Sequence, residues 1–315
     1  MQFQCPCAQA MDPAGRKAYR HIMRASTFPA VVLIGVLWGL NWPAVKTLLS
    51  EIPPVTIRAV SLTTAGVVLG LGVWLRGGRL RPTREELGPL LLAGMLTVFG
   101  FNVLVTFGQI LTETTRAAII AYIMPALTAV FSVFLLGERL GPNRVLALGL
   151  AMMGVAVMAS ENLAHLIANP LGPLIMAGSA ISWALGIIAT KARNWTLSPS
   201  AQAVWFLTVS GLACWPLVFV FEPVSELEMP STGVLWVLAF HILGPMLTCY
   251  ALWTVLVDRL PASVAAIATL LAPVVAVSSS MLLLGDEPSW QKLAALALIV
   301  ASIALTFLRP IRLND

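Results

Sequence analysis

The chain has 315 residues, of which 58% are hydrophobic and only 10% are charged, and its formal net charge is +5. An average soluble domain has roughly 45–50% apolar and about 25% charged residues. This composition excludes an ordinary water-soluble globular protein and predicts a polytopic membrane protein.

Ten apolar windows follow one another along the chain. A helix needs about 20 mostly apolar residues to cross the hydrocarbon core of a bilayer. The windows lie at 30–49, 55–75, 88–108, 115–136, 143–160, 171–190, 200–221, 233–256, 262–284 and 290–308. None shows the sustained alternation of apolar and polar residues that is typical of a barrel strand, so we predict ten transmembrane helices in an all-α fold.

The distribution of Lys and Arg predicts the orientation of these helices. Apart from Arg58, which lies inside a window, fifteen cations fall in the loops, tails or window ends on the side that holds both termini, and three fall on the other side. Cytoplasmic loops carry the excess of cations, so both termini are predicted to be cytoplasmic, with residues 1–28 and 309–315 as tails. The positive net charge then reflects topology and contact with anionic membrane lipid, and no nucleic-acid partner is expected.

Two parts of the sequence repeat with a displacement of 148. The segment AAIIAYIMPALTAVFSVFLLGE, from Ala117, matches AAIATLLAPVVAVSSSMLLLGD, from Ala265. The two segments share the positions of Pro125 and Pro273 and an LLG triplet that an acidic residue follows. A shared proline and a shared LLG–acid ending are harder to attribute to chance than apolar similarity alone.

A second register, displaced by 145, aligns Trp38 with Trp183. The halves 29–160 and 170–308 each contain five windows in the same order. Five is an odd number, so the second half has to cross the membrane in the opposite sense. The sequence therefore predicts two inverted five-helix repeats, an arrangement found in many secondary transporters.

These features resemble the drug/metabolite transporter superfamily, in its EamA-like branch of amino-acid and metabolite exporters. The resemblance covers about residues 30–308 and depends on the W-G-x-N-x-x-x-x-K pattern from Trp38 to Lys46, and on a Pro-containing helix that ends in LLGE. The second half departs from it, since LLGDEP replaces LLGER and leaves Asp286 and Glu287 as alternative counterparts of Glu138. The resemblance implies a central cavity between the halves that opens alternately to either side.

The segment LWGLNWPAVK contains the strongest candidates for a binding site. Trp38, Asn41 and Trp42 are spaced i, i+3 and i+4, so they share one face of a helix, and lipid is a poor neighbour for the amide. Pro43 removes a backbone hydrogen bond and predicts a broken helix at a solute site. Lys46 is interpreted as an anchor at the membrane interface.

Further candidates in other windows also predict a polar and aromatic cavity. They are Phe101 and Asn102, with Gln109 two turns further along one face, and Tyr122, Trp183 and Tyr250. In the 148 register Asn102 corresponds to Tyr250, so the halves are expected to present polar groups at equivalent depth. For each residue the alternative is hydrogen bonding or packing between helices. His241 is a weaker candidate for handling protons.

Motifs that would indicate other functions are not found. The sequence contains no HExxH, GxSxG or Walker A motif and no pair of acidic residues within a window, which argues against an intramembrane enzyme and direct use of ATP. It also has no repeated filter sequence of the kind found in channels. No catalytic residue, cofactor or metal site is predicted, and the oligomeric state is left open.

The sequence therefore predicts a secondary transporter in the inner (plasma) membrane of a bacterium that exports amino acids by alternating access. Deep within the windows the sequence offers only Arg58, with two lysines at helix ends, which disfavours a multiply charged anion as substrate. Trp, Tyr, Phe and Asn suit a neutral or zwitterionic molecule, and we expect an aromatic or large apolar amino acid. Lipophilic drugs or nucleobases are the alternative substrates, and a channel or an intramembrane enzyme is a more distant alternative.

Overall fold

The computed structural model describes residues 13–111, 120–160, 170–222, 228–283 and 289–308, and within these ranges every regular element is a helix. The helices are, in chain order, α1 (Pro13–Leu48), α2 (Pro54–Leu75), α3 (Arg84–Leu111), α4 (Met124–Leu136), α5 (Pro142–Ser160), α6 (Leu171–Lys191), α7 (Pro199–Phe221), α8 (Thr232–Arg259), α9 (Ala262–Ala268), α10 (Leu271–Leu283) and α11 (Trp290–Leu308). Each predicted window contains at least one of these helices, and the ninth contains two. Residues 112–119, which include the start of the fourth window, lie outside the described part. The all-helical prediction is confirmed.

Six of these helices are long and apolar enough to cross a membrane: α1 from Phe28 onward, α2, α3, α6, α7 and α8. The apolar stretches in the other windows are shorter. Helix α1 begins at Pro13, well before its apolar part, so the second half of the predicted N-terminal tail continues the first helix.

Helix starts follow from local side-chain chemistry. Thr83 and Glu86 form a reciprocal capping box at the start of α3. Ser198 and Ser231 accept hydrogen bonds from the first turns of α7 and α8. These caps satisfy backbone N–H groups that have no partner within the helix. Helix α4 ends at Gly137, whose backbone takes a left-handed conformation with φ of 68° that glycine adopts at low cost.

Helices α3 and α8 each contain a π-helical segment at matching places. The segments are Met95–Gly100 and Ile242–Thr248, so their last residues are 148 positions apart. A π-helical segment shifts the hydrogen-bonding register and leaves backbone carbonyls available to other partners. Pro245 lies inside the second segment.

The fourth and ninth windows are interrupted by turns. One turn is at Tyr122–Ile123, shortly before Pro125, and the other is at residues 269–270, between α9 and α10. The prediction of a broken helix at Pro43 was wrong, because α1 continues through this proline. The side-chain hydroxyl of Thr47 donates to the Pro43 carbonyl at 3.2 Å.

Helices of the first half pack mainly against helices of the second half. Helix α2 packs on α7, α5 on α11, α1 on α10 and α8, and α6 on α3 and α4. At the α2–α7 crossing, a Cβ atom on Gly66 would lie 2.8 Å from the backbone nitrogen of Thr208, and one on Gly211 would lie 2.8 Å from Cα of Thr63. The two backbones therefore approach through a reciprocal pair of glycines.

Large apolar side chains remain on the outer surface of this bundle. Phe134 is 80% exposed, Trp236 74% and Val220 73%. Apolar exposure on this scale is unfavourable in water and is expected where helices face lipid. The largest buried side chains, Trp183 and Tyr250, belong instead to the cluster where the two halves meet.

Candidate functional site

A cavity at the junction of the two halves collects all eight residues that the sequence predicted for substrate binding. It contains about 690 Å³ of space free of atoms, including its open mouth. The predicted residues on its wall are Trp38, Asn41, Trp42, Phe101, Asn102, Tyr122, Trp183 and Tyr250.

Four of the aromatic side chains that line the cavity pack together. The ring centroids of Trp38 and Trp183 are 5.5 Å apart at an interplanar angle of 77°, and Tyr250 lies 5.8 Å from Trp38. The ring of Phe101 is 4.7 Å from Trp183. Tilted and edge-to-face arrangements of this kind are favourable because the positive ring edge meets the negative ring face. The cluster forms an aromatic wall with side chains from α1, α3, α6 and α8.

Trp253 supports this wall from behind. Its ring is 5.8 Å from Trp38 and 5.5 Å from Trp183, but it does not line the cavity. The indole nitrogen of Trp38 donates to the carbonyl of Pro245, in the π-helical segment of α8, at 3.2 Å. This hydrogen bond fixes the orientation of Trp38 because the indole N–H is its one donor.

Asn102 and Tyr250 make a direct contact between the two halves. The side-chain amide of Asn102 donates to the Tyr250 hydroxyl at 2.9 Å and to the Val98 carbonyl at 2.8 Å. Each residue lies shortly after the π-helical segment of its own helix. The sequence predicted equivalent depth for these residues, and the structure adds that they touch.

Asn41 contacts His241 of α8, and the nitrogen and oxygen atoms are 2.6 Å apart. His241 is fully buried, and its Nε2 atom has no hydrogen-bond partner within the described residues. The sequence left two alternatives open for Asn41, lining a cavity or hydrogen bonding between helices. In the structure Asn41 does both.

Tyr122 lies at the turn that precedes α4. Its ring centroid is 6.3 Å from that of Trp42, and both side chains line the cavity. The Tyr122 hydroxyl is buried and makes no hydrogen bond in the part of the chain that the structure describes. An interrupted helix with a buried hydroxyl at the break is the kind of irregular backbone that membrane proteins tolerate where it lines a cavity.

One cation, Arg58 of α2, lies on the cavity wall, although the sequence analysis gave it no role in binding. The available signal was its position within an apolar window, since ionisable residues there most often mark functional sites. Lys46 is exposed, and neither it nor Lys191 lines the cavity.

Several other lining residues escaped the sequence prediction. They are Val45, Val105, Ala121, Met124, Met246, Thr269 and Ala272, while Gln109 was expected and does line the cavity. Small and apolar side chains within an apolar window give no sign of which direction they face. Among the described residues, no group of three or more His, Cys, Asp or Glu could hold a metal ion.

A bundle of apolar helices with a polar and aromatic cavity between its halves has the features of a membrane transport protein. The profile of the EamA-like transporter family matches the chain twice, over residues 26–160 and 170–308. The chain belongs to this family and is an integral membrane protein, which confirms the resemblance described above.

Similar proteins include an uncharacterized transporter of Bacillus subtilis, 28% identical over 91% of this chain and 93% of the relative. An "Aromatic amino acid exporter" of Ancylobacter novellus is 24% identical over 89% of this chain and 97% of the relative. A "Probable terminal-alkyne amino-acid exporter" of Streptantibioticus cattleyicolor is 26% identical over 88% and 91%. A solved crystal structure shares the fold, with a TM-score of 0.73 and 22% identity over 89% of this chain and 96% of that one.

Proposed function

We propose that this protein is a secondary transporter that exports zwitterionic amino acids with an aromatic or large apolar side chain. The observation that carries the proposal is the cavity itself, whose described lining combines the aromatic cluster with polar side chains and the cation Arg58. The indole and phenol rings can stack on a substrate ring and can also face its ammonium group. Two relatives with printed names that refer to amino-acid export support this substrate class.

Two inverted five-helix repeats are part of the proposal. The reciprocal contacts support them: Gly66 faces Thr208 and Gly211 faces Thr63, and each of the four positions is displaced by 145 from its counterpart. A self-complementary contact of this kind is expected about a two-fold axis. The separate family matches to the two halves agree with this arrangement.

Alternating access is proposed to involve the irregular helix segments. The π-helical segments of α3 and α8 and the turns at residues 122–123 and 269–270 all adjoin the cavity. Irregular helix segments recur at substrate sites of transporters, where the halves rock against each other. With both termini in the cytoplasm, the protein would move its substrate out of a bacterial cell across the inner membrane.

Counterflow in liposomes tests the function. Purified protein is reconstituted, the vesicles are loaded with one unlabelled amino acid or nucleobase, and the uptake of labelled L-phenylalanine is followed. Saturable exchange that L-tryptophan, L-phenylalanine and L-leucine support, and that Asn41→Ala reduces, is expected. Arg76→Gln, which changes an exposed cation at the far end of α2, is the control and should leave the exchange unchanged.

Two results would contradict the proposal. Exchange of nucleobases or a lipophilic cation with none of any amino acid would keep the transporter class and refute the substrate. Passive flux through the protein without saturation or counterflow would contradict alternating access.

A further inference from the structure

We propose that Arg58 binds the carboxylate group of the transported amino acid. This inference rests on the proposed function, and it specifies which part of the substrate determines recognition. Arg58 is only 5% exposed and lies on the cavity wall in the first turns of α2.

Among the described residues, the guanidinium group has one hydrogen-bond partner, and it is bound through a single nitrogen atom. Its Nε atom donates to the Thr106 hydroxyl at 3.2 Å, and that hydroxyl donates to the Asn102 carbonyl at 2.9 Å. The two terminal nitrogens make no hydrogen bond among the described residues. The Nε contact restrains the group and leaves its terminal N–H donors available to a ligand in the cavity.

Arg58 also has no acidic partner in the described part of the chain. The acidic residue that reaches the first turn of α2 is Glu222 of α7, which accepts from the backbone nitrogens of Val55 and Thr56 at 2.5 and 2.8 Å and from the Thr56 hydroxyl at 2.6 Å. Glu222 therefore caps α2 and does not neutralise Arg58. A buried cation without a counterion is unfavourable, and it is retained most readily where a ligand supplies the missing charge.

The chemistry of the group selects the ligand. Guanidinium is planar, stays charged in proteins, and presents paired donors that match the two oxygens of a carboxylate. Among the described residues no second cation lines the cavity, so the charge balance there fits one carboxylate better than a phosphate. Trp38 and Trp183 line the same cavity and offer apolar surface to the substrate side chain.

Competition with fragments of the substrate tests this assignment. The reconstituted full-length protein exchanges labelled L-phenylalanine in the presence of 3-phenylpropionate, which retains the carboxylate, or 2-phenylethylamine, which lacks it. The carboxylate fragment should compete at a concentration at least tenfold lower than the amine. In Arg58→Gln that preference should disappear, and the half-saturation concentration of L-phenylalanine should rise about tenfold to a hundredfold, as expected for the loss of a charge-assisted pair.

Two further variants separate binding from folding. Arg58→Lys keeps the charge without the planar fork and should retain part of the preference for the carboxylate fragment. Arg76→Gln removes an exposed cation at the other end of α2 and should retain all of it. Thermal unfolding of each purified variant in detergent is measured in parallel.

The outcomes distinguish this inference from the proposed function. If the native protein exchanges L-phenylalanine but is inhibited equally by both fragments, or if Arg58→Gln keeps the native preference, amino-acid export stands and the carboxylate assignment fails. If the native protein exchanges no amino acid, both proposals fail.

Discussion

The hydrogen bond between Asn102 and Tyr250 should contribute measurably to the stability of the contact between the two halves. Tyr250→Phe removes the hydroxyl that accepts from Asn102 at 2.9 Å and keeps the ring, whose centroid lies 5.8 Å from that of Trp38. Side-chain hydrogen bonds between membrane helices average about 0.6 kcal/mol and reach about 1.7 kcal/mol. The free energy of unfolding should therefore fall by about 1 kcal/mol.

The partner substitution has a larger expected cost. Asn102→Ala also removes the bond to the Val98 carbonyl and leaves the Tyr250 hydroxyl buried without its partner, which costs about 1–3 kcal/mol. In the double variant the two losses overlap, so the coupling free energy should be about 0.6–1.7 kcal/mol. Reversible unfolding in mixed micelles, titrated with a denaturing detergent, measures all four proteins.

Tyr122→Phe is a matched control, because it makes the same chemical change on the wall of the same cavity. The Tyr122 hydroxyl has no hydrogen-bond partner among the described residues. Its removal loses no hydrogen bond and takes away an unpaired buried polar group, so stability should stay the same or rise by up to about 1–3 kcal/mol. If Tyr250→Phe behaves like this control, and the coupling is below about 0.3 kcal/mol, the inferred link between the halves is incorrect.

Three other substitutions test the aromatic wall, the helix crossing and a helix cap. Trp38→Ala should raise the half-saturation concentration of L-tryptophan in counterflow about twofold to tenfold, because one aromatic pair contributes about 0.5–1.5 kcal/mol. The half-saturation concentration of L-alanine should rise much less. Equal effects on the two amino acids would argue against stacking. Gly66→Ala should destabilise the protein by about 1–3 kcal/mol in detergent unfolding, since the new Cβ would lie 2.8 Å from the backbone nitrogen of Thr208. Gly72→Ala is the control and should be tolerated, because a Cβ at this position would have no neighbouring atom within 4 Å. Glu222→Ala should lower the free energy of unfolding by about 1–2 kcal/mol in the same assay, because it removes the carboxylate that caps α2. An unchanged unfolding midpoint would show that water replaces the carboxylate.

The helices of this protein were predictable from the sequence because hydropathy and helix starts are local properties. The predicted window at 55–75 became Pro54–Leu75, and the window at 200–221 became Pro199–Phe221. Local patterns failed at Pro43, where the chain remains helical, and at the π-helical segments of α3 and α8, which have no clear local sequence signal. Their position depends on how α3 and α8 pack against the other half.

The candidate site was predictable to the extent that its residues are chemically conspicuous. Tryptophan and asparagine within an apolar window attract notice, and Trp38 and Asn102 do line the cavity. Met246 and Thr269 line it too, yet nothing in the local sequence distinguishes them from residues that face lipid. The roles of all these side chains in binding remain predictions that the counterflow experiments test.

By itself the sequence determined that the chain lies in a membrane, that it is helical and that its two halves are related, because apolar length and repetition can be read along one dimension. The tertiary structure alone decided which residues face one another. Asn102 meets Tyr250 across 148 positions, and Trp38 reaches the Pro245 carbonyl across 207. Contacts over such distances depend on the rotation and crossing of packed helices, which no local pattern specifies.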